Sequence, residues 1–273
     1  MPQHPRSPAV PSAYCAGPAA SAAISRPATG GPAAPLQRRH RTGRPARSAA
    51  LLALGLVLGA AAAAAGLPPA SCSSDGQARP VALLERFTSA DCESCWADRA
   101  TPAARRGELA LDWVVPSARG DEAPLSAAAL PEARERLDAL HQPGPAPASS
   151  LRSPVLASGQ TLRVALGLPL NDYIGATLAL RPAGAGPWSA WLVLVERVPA
   201  GEEGSPVPRQ VARAVFRPDW DAPASGVRRE LRALRIPEGA KPERLSLLAW
   251  VQDARGRVVA AAQSACASGT GGR

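Results

Sequence analysis

The chain has 273 residues, enough for one large domain or two modest ones with real cores. Its net charge of +9 is uneven: Arg6, Arg26, Arg38, Arg39, Arg41, Arg44 and Arg47 precede Cys72 with no acid among them, which leaves 24 basic against 22 acidic residues in the remainder. A nucleic-acid binder keeps its excess charge in the folded part, as a stripe that engages phosphates, so nucleic acid is disfavoured as a partner.

Residues 1 to about 37 are of low complexity, and they lead into what reads as an export signal. Arg38, Arg39, Arg41, Arg44 and Arg47 form its basic region. The apolar region is Ala49 to Ala65, with Leu51, Leu52, Leu54, Leu56, Val57 and Leu58, and small residues follow. Seventeen residues make a thin membrane span, so a retained anchor is the alternative. Leu67-Pro68-Pro69-Ala70-Ser71-Cys72 resembles a lipoprotein cleavage site, with Pro69 where a Leu-like residue is usual. Membrane contact is therefore expected only through an uncleaved signal or a lipid anchor.

Export delivers the chain to an oxidising compartment, periplasmic or extracellular, where disulfides persist. Loss of the leader removes Cys15 and leaves Cys72, Cys92, Cys95 and Cys266, which allow three pairings. The simplest joins Cys92 to Cys95 locally and uses Cys72–Cys266 to staple the two ends of the folded region.

Residues 79–88 read as a short buried strand, broken at Thr88-Ser89-Ala90-Asp91. A helix is expected to start near Cys95, limited to two or three turns by Pro102 and Gly107. Leu109 to Val115 is a second strand, ended by Pro116. Leu130, Ala133, Leu137 and Leu140 recur at helical spacing and mark an amphipathic helix. Ser153 to Ala157 is a third strand candidate, turned at Ser158-Gly159. After residue 170, short runs at 176–180, 190–198, 210–216, 228–234, 245–251 and 257–262 alternate with Pro/Gly turns, as in an antiparallel β layer.

The β-α-β-α-β order, with a dithiol at its first strand-to-helix junction, predicts an α/β fold: a thioredoxin-like sheet with a β-rich C-terminal portion. The expected organisation is a leader with export signal over 1–71, a thioredoxin-like domain over 72–165, a β-rich portion over 166–266 and a disordered tail over 267–273.

The stretch Val81-Ala82-Leu83-Leu84-Glu85-Arg86-Phe87-Thr88-Ser89-Ala90-Asp91-Cys92-Glu93-Ser94-Cys95 resembles the opening signature of a secreted thioredoxin-like family. That family is catalogued as a domain of unknown function, number twelve twenty-three. Of its usual Pro-Pro-Ala-Asp continuation only Ala97 and Asp98 match. Ser153-Pro154-Val155 is similar to the family's Thr-Pro-Gln-Val segment, and the resemblance puts Pro154 where thioredoxin-like folds keep a cis-proline. Trp250-Val251-Gln252-Asp253 with Gly256-Arg257-Val258-Val259 resembles its closing strand pair. The family's aromatic stretch after the second strand is absent; Val115 to Asp121 stands there instead.

Two thiols three positions apart suit disulfide exchange, a structural disulfide or half of a metal site. Metal loses, because soft sites take four ligands and His141 is the only His after the leader. In the redox reading Cys92 is the exposed nucleophile, favoured by the helix N-terminus, and Cys95 resolves the mixed disulfide. Glu93 between them disfavours a second negative charge, which points to a mild reductant or isomerase-like poise. Pro154 is expected across from the dithiol, leaving a backbone edge for an extended peptide. Glu85 is a candidate proton shuttle to Cys95, or a partner for Arg86 or Arg99. No cofactor is implied, and the partners would be protein thiols or a redox partner protein. The rival reading is a non-enzymatic binding module that keeps a structural or vestigial disulfide.

Overall fold

The structure is a computed structural model that describes residues 72–145, 147–184, 186–220 and 225–266. The expected leader and tail, and Cys15, lie outside these residues. In chain order the elements are β1 (Cys72–Ser73), β2 (Ala82–Ser89), α1 (Glu93–Trp96), β3 (Glu108–Val115), α2 (Pro131–Ala139) and β4 (Ala148–Pro154). Then follow β5 (Thr161–Leu170), β6 (Tyr173–Arg181), β7 (Trp188–Val198), β8 (Arg209–Phe216) and β9 (Asp219–Trp220). The last four are β10 (Arg228–Arg235), β11 (Leu245–Gln252), β12 (Val258–Gln263) and β13 (Ala265–Cys266).

These strands build two sheets. The five-stranded sheet has the order β10-β6-β5-β1-β13 and is antiparallel throughout. The eight-stranded sheet runs β12-β11-β7-β8-β3-β2-β4, with β9 attached to β7. Only its β8–β3 and β3–β2 pairings are parallel.

Burial explains the layering. In β7, Ala190, Leu192 and Leu194 face the five-stranded sheet, where Val164, Leu166, Leu178 and Leu180 meet them. The alternate residues Trp191, Val193 and Val195 face the other way, against a cluster that contains Ala133 and Leu137 of α2. An uninterrupted apolar strand is thus buried on both faces, the pattern of a central strand. The layers are sheet, sheet and one short helix.

The predicted thioredoxin-like α/β fold is therefore not what the chain adopts. Strands account for 48% of the described residues and helical turns for 12%. The helix at the dithiol is one turn of four residues, and the segment from Ala97 to Gly107 continues as turns and coil. Pro102 and Gly107 fall close enough to the dithiol to leave no room for a helix that could cover a sheet face. A second sheet does that work instead. The boundary drawn between 165 and 166 falls inside β5, and β7, β8, β11 and β12 share one sheet with β2–β4. The third strand starts at Ala148 rather than Ser153, and β5 escapes the sequence reading because Arg163, Gly167 and Pro169 interrupt its apolar pattern. Its hairpin to β6 turns on Asn171 and Asp172, at φ 48° and 61°, the left-handed pair of a two-residue type I′ turn.

Two connections tie the elements together. Cys72 and Cys266 lie opposite each other in the β1–β13 register and are joined as a disulfide across 194 positions. Inside, Arg136 of α2 forms a bidentate ion pair with Glu85 of β2, through Nε–Oε1 at 2.8 Å and Nη2–Oε2 at 2.7 Å. Both side chains are wholly buried. Trp113 Nε1 donates to Glu85 Oε1 at 3.1 Å, Arg136 Nη1 donates to Gln252 Oε1 at 2.8 Å, and the guanidinium lies 5.2 Å and 5.0 Å from the ring centres of Trp191 and Trp250.

Arg136→Met strands the Glu85 carboxylate in the core and should cost about 3–5 kcal/mol. The double variant Glu85→Leu with Arg136→Met should be clearly more stable than that single variant, as read from urea midpoints. Removing the staple with Cys72→Ser and Cys266→Ser should lose roughly 4–5 kcal/mol by the chain-entropy relation, while peptide mapping without reduction still recovers Cys92 linked to Cys95.

Candidate functional site

β2 delivers the chain to the dithiol. Cys92 N–H bonds Ser89 O at 2.9 Å, Ala90 N–H bonds Val115 O at 2.9 Å, and these fix the turn between β2 and α1 against the end of β3. Cys92 and Cys95 are joined as a disulfide with their Cα atoms 5.2 Å apart. Cys92 caps α1: its Sγ accepts the Cys95 N–H at 3.2 Å and lies 3.5 Å from Ser94 Oγ.

The floor under α1 is a buried charge cluster that sequence reasoning missed. Asp112 of β3 accepts from Arg86 Nη2 at 2.5 Å and from Arg209 Nη1 at 3.2 Å, so one carboxylate serves two guanidiniums. Its Oδ2 also accepts the Gln210 N–H at 2.8 Å. Arg209 further donates to Trp96 O at 2.8 Å and Thr101 Oγ1 at 3.1 Å, and stacks 4.7 Å from the Trp96 ring centre. The Trp96 indole N–H in turn bonds Glu203 O at 2.8 Å. Burial pulls the Arg209 guanidinium below its ordinary pKa, opposed by the charge of Asp112 and its hydrogen bond. One signal for this cluster was present in the sequence: an Asp inside the apolar run 109–115 must find a partner if the run is a buried strand. Nothing local identified Arg209, which is 97 positions away.

A cleft of about 240 Å³ opens beside the disulfide. Its lining includes Cys95, Arg86, Thr88, Asp98, Ser149 and Arg209. Cys92 is absent from that lining and only 9% exposed, whereas Cys95 is partly exposed. The expectation that Cys92 is the exposed sulfur is reversed by the fold, because Cys92 sits at the strand end and Cys95 one helical turn on, over the cleft.

Pro154 is not part of this site. It ends β4 and pairs with Ala82 at the start of β2, whereas Ala148 is the β4 residue opposite Thr88 at the dithiol end. Six strand positions separate the two ends, about 20 Å. The Ser153–Pro154 bond is trans; the cis bonds among the described residues precede Pro182 and Pro187. As β4 is an edge strand, a proline there leaves no ladder bond unmade.

Glu85 is not part of it either. Side chains alternate along β2, so Glu85 points with Leu83 and Phe87 toward α2, while Arg86 and Thr88 line the cleft on the other face. Its partner is Arg136, and Arg86 is held by Asp112. Among the described residues no group of three His, Cys, Asp or Glu side chains is placed to hold a metal ion, and no helix is long and apolar enough to cross a membrane.

No protein-family model matches the chain, and no curated protein does. The chain is similar to the crystal structure of an Agrobacterium tumefaciens protein solved as a structural-genomics target, at 16% identity over 72% of this chain and 98% of that one, with a TM-score of 0.36. That likeness is too slight to assign a fold or a function.

Away from the dithiol, at the start of β2 and β3, Glu108 and Arg152 tie down the far end of the 97–107 connection. Glu108 Oε2 accepts the Arg105 N–H at 2.8 Å and Arg152 Nε at 3.3 Å, and Arg152 Nη2 donates to Ala103 O at 2.9 Å. The Arg105 N–H, with Arg152 next, holds the Glu108 carboxyl below its ordinary value. A depressed folded-state pKa gives stability that is present above the ordinary carboxylate pKa of about 4.3 and lost as pH falls through the folded value. Glu108→Gln should therefore lower the urea midpoint at pH 6, and its difference from wild type should shrink as the measurement is repeated toward pH 3.

Proposed function

We propose that the protein is an exported thiol–disulfide oxidoreductase acting through Cys92 and Cys95. The observation that carries this reading is the Cys92–Cys95 disulfide itself, which borders an open cleft through Cys95. A disulfide that serves only to brace the fold gains nothing from such access. The three-residue separation also brings little chain-entropy stabilisation compared with the 194-position staple.

The chemistry needs no cofactor, because the two sulfurs carry the electron pair. Its partners are protein thiols or a redox partner protein. Two disulfides suit an oxidising compartment, and with the apolar run at 49–65 they support export to the periplasm or beyond.

One observation favours a second reading, a binding module with a structural disulfide. Cys92 is nearly buried, and the neighbouring Trp96 is fixed by Arg209 and Glu203. Redox titration separates the two. The oxidoreductase should show a Cys92–Cys95 potential above about −300 mV, and a value well below that belongs to a structural disulfide. Wild type should accelerate insulin reduction, and equal rates for wild type and Cys92→Ser would exclude the enzyme.

A further inference from the structure

We propose that Cys95 is the sulfur that exchanges with substrate and that Cys92 is its leaving partner, the reverse of the order expected from the sequence. This deepens, and rests on, the oxidoreductase reading. Thiol–disulfide exchange depends on which sulfur can be reached and on how well the other departs as a thiolate. Both criteria select the same assignment here. Cys95 lines the cleft and is partly exposed, while Cys92 is 9% exposed and outside the lining. Cys92 Sγ already accepts the Cys95 N–H at 3.2 Å, with Ser94 Oγ at 3.5 Å able to donate a second hydrogen bond. Both contacts strengthen when the acceptor becomes a full thiolate.

The cleft wall carries no net charge: Arg86 and Arg209 share the carboxylate of Asp112, and Asp98 on the lining balances the second positive charge. Access and leaving-group stabilisation therefore carry the assignment.

The exchange then runs in two balanced steps. A substrate thiolate attacks Cys95 Sγ, a new S–S bond joins substrate to Cys95, and the Cys92–Cys95 bond breaks with its electron pair leaving on Cys92 Sγ. A second substrate thiolate attacks the substrate sulfur of this mixed disulfide, and the electron pair leaves on Cys95 Sγ. The substrate is oxidised to a disulfide, the protein pair is reduced by two electrons, and solvent protonates the protein thiolates as they require. In the opposite direction the Cys95 thiolate attacks first.

The test uses the oxidised full-length chain and reduced glutathione as the small-thiol probe. After a short reaction, acid quenching and alkylation, fragmentation of the peptide that contains both cysteines should place glutathione on Cys95 and the alkyl group on Cys92. Glutathione predominantly on Cys92 overturns the inference and leaves the oxidoreductase reading standing. An intact Cys92–Cys95 disulfide with no adduct under a large excess of glutathione overturns both. As a second measurement, the reduced variants Cys92→Ser and Cys95→Ser are mixed with oxidised glutathione. The thiol of Cys95, present in Cys92→Ser, should form its mixed disulfide at least about tenfold faster than the thiol of Cys92, following its greater access. Equal or inverted rates overturn the assignment.

Discussion

The ion pair between Glu85 and Arg136 is the constraint on which the architecture around the dithiol depends. Taking two charges fully out of water costs several kcal/mol each, and the cost is recovered only when geometry is good and the remaining polar atoms are satisfied. Here the pairing is bidentate, Trp113 and Gln252 complete it, and two tryptophan rings flank the guanidinium. A helix of only nine residues has little stability of its own, so this pair and the apolar contacts of Ala133 and Leu137 hold α2 to the sheet. It also sets which face of β2 turns inward, because a one-residue slip would exchange Glu85 for Arg86.

With Glu85 committed to the helix side, the other face of β2 and β3 presents Arg86 and Asp112. Arg209 arrives from β8 to share the carboxylate and to clasp Trp96. The single turn of α1 is thereby seated on this charged group as well as on the apolar cluster that Trp96 forms with Ala90, Val114, Val198 and Val211. The charged group gives the Cys95 side of the disulfide its polar, arginine-lined cleft. The two ion clusters lie back to back through the same pair of strands, one bracing the fold and one furnishing the site.

The two disulfides differ in kind for a topological reason. Cys72 and Cys266 sit in paired terminal strands, and their bond closes nearly the whole described chain on itself. Cys92 and Cys95 close one turn at the end of a strand, where access and not loop length decides their use. The likeness read over 81–98 is a likeness of that local turn. It does not extend to the sheet around it, which lacks the helical cover that a thioredoxin-like arrangement needs.

What the sequence determined by itself was local. The apolar runs of β2, β3, β7 and β11, the helical spacing of Leu130, Ala133 and Leu137, and the short connection between Cys92 and Cys95 follow from nearest-neighbour sterics and periodic burial, which a linear pattern records. Arg136 was within reach too, since it lies on the same helical stripe as Ala133 and Leu140. The tertiary structure alone decided that a second sheet covers β7 and β11, that β8 lies beside β3, that Asp112 meets Arg209 across 97 positions, and that Pro154 ends a strand length from the dithiol. Each of these joins residues far apart in the chain, and strand pairing is set by the sum of many weak contacts that no single segment encodes. The exposure of Cys95 over Cys92 belongs to the same class, because it depends on what the neighbouring strands bring to the cleft.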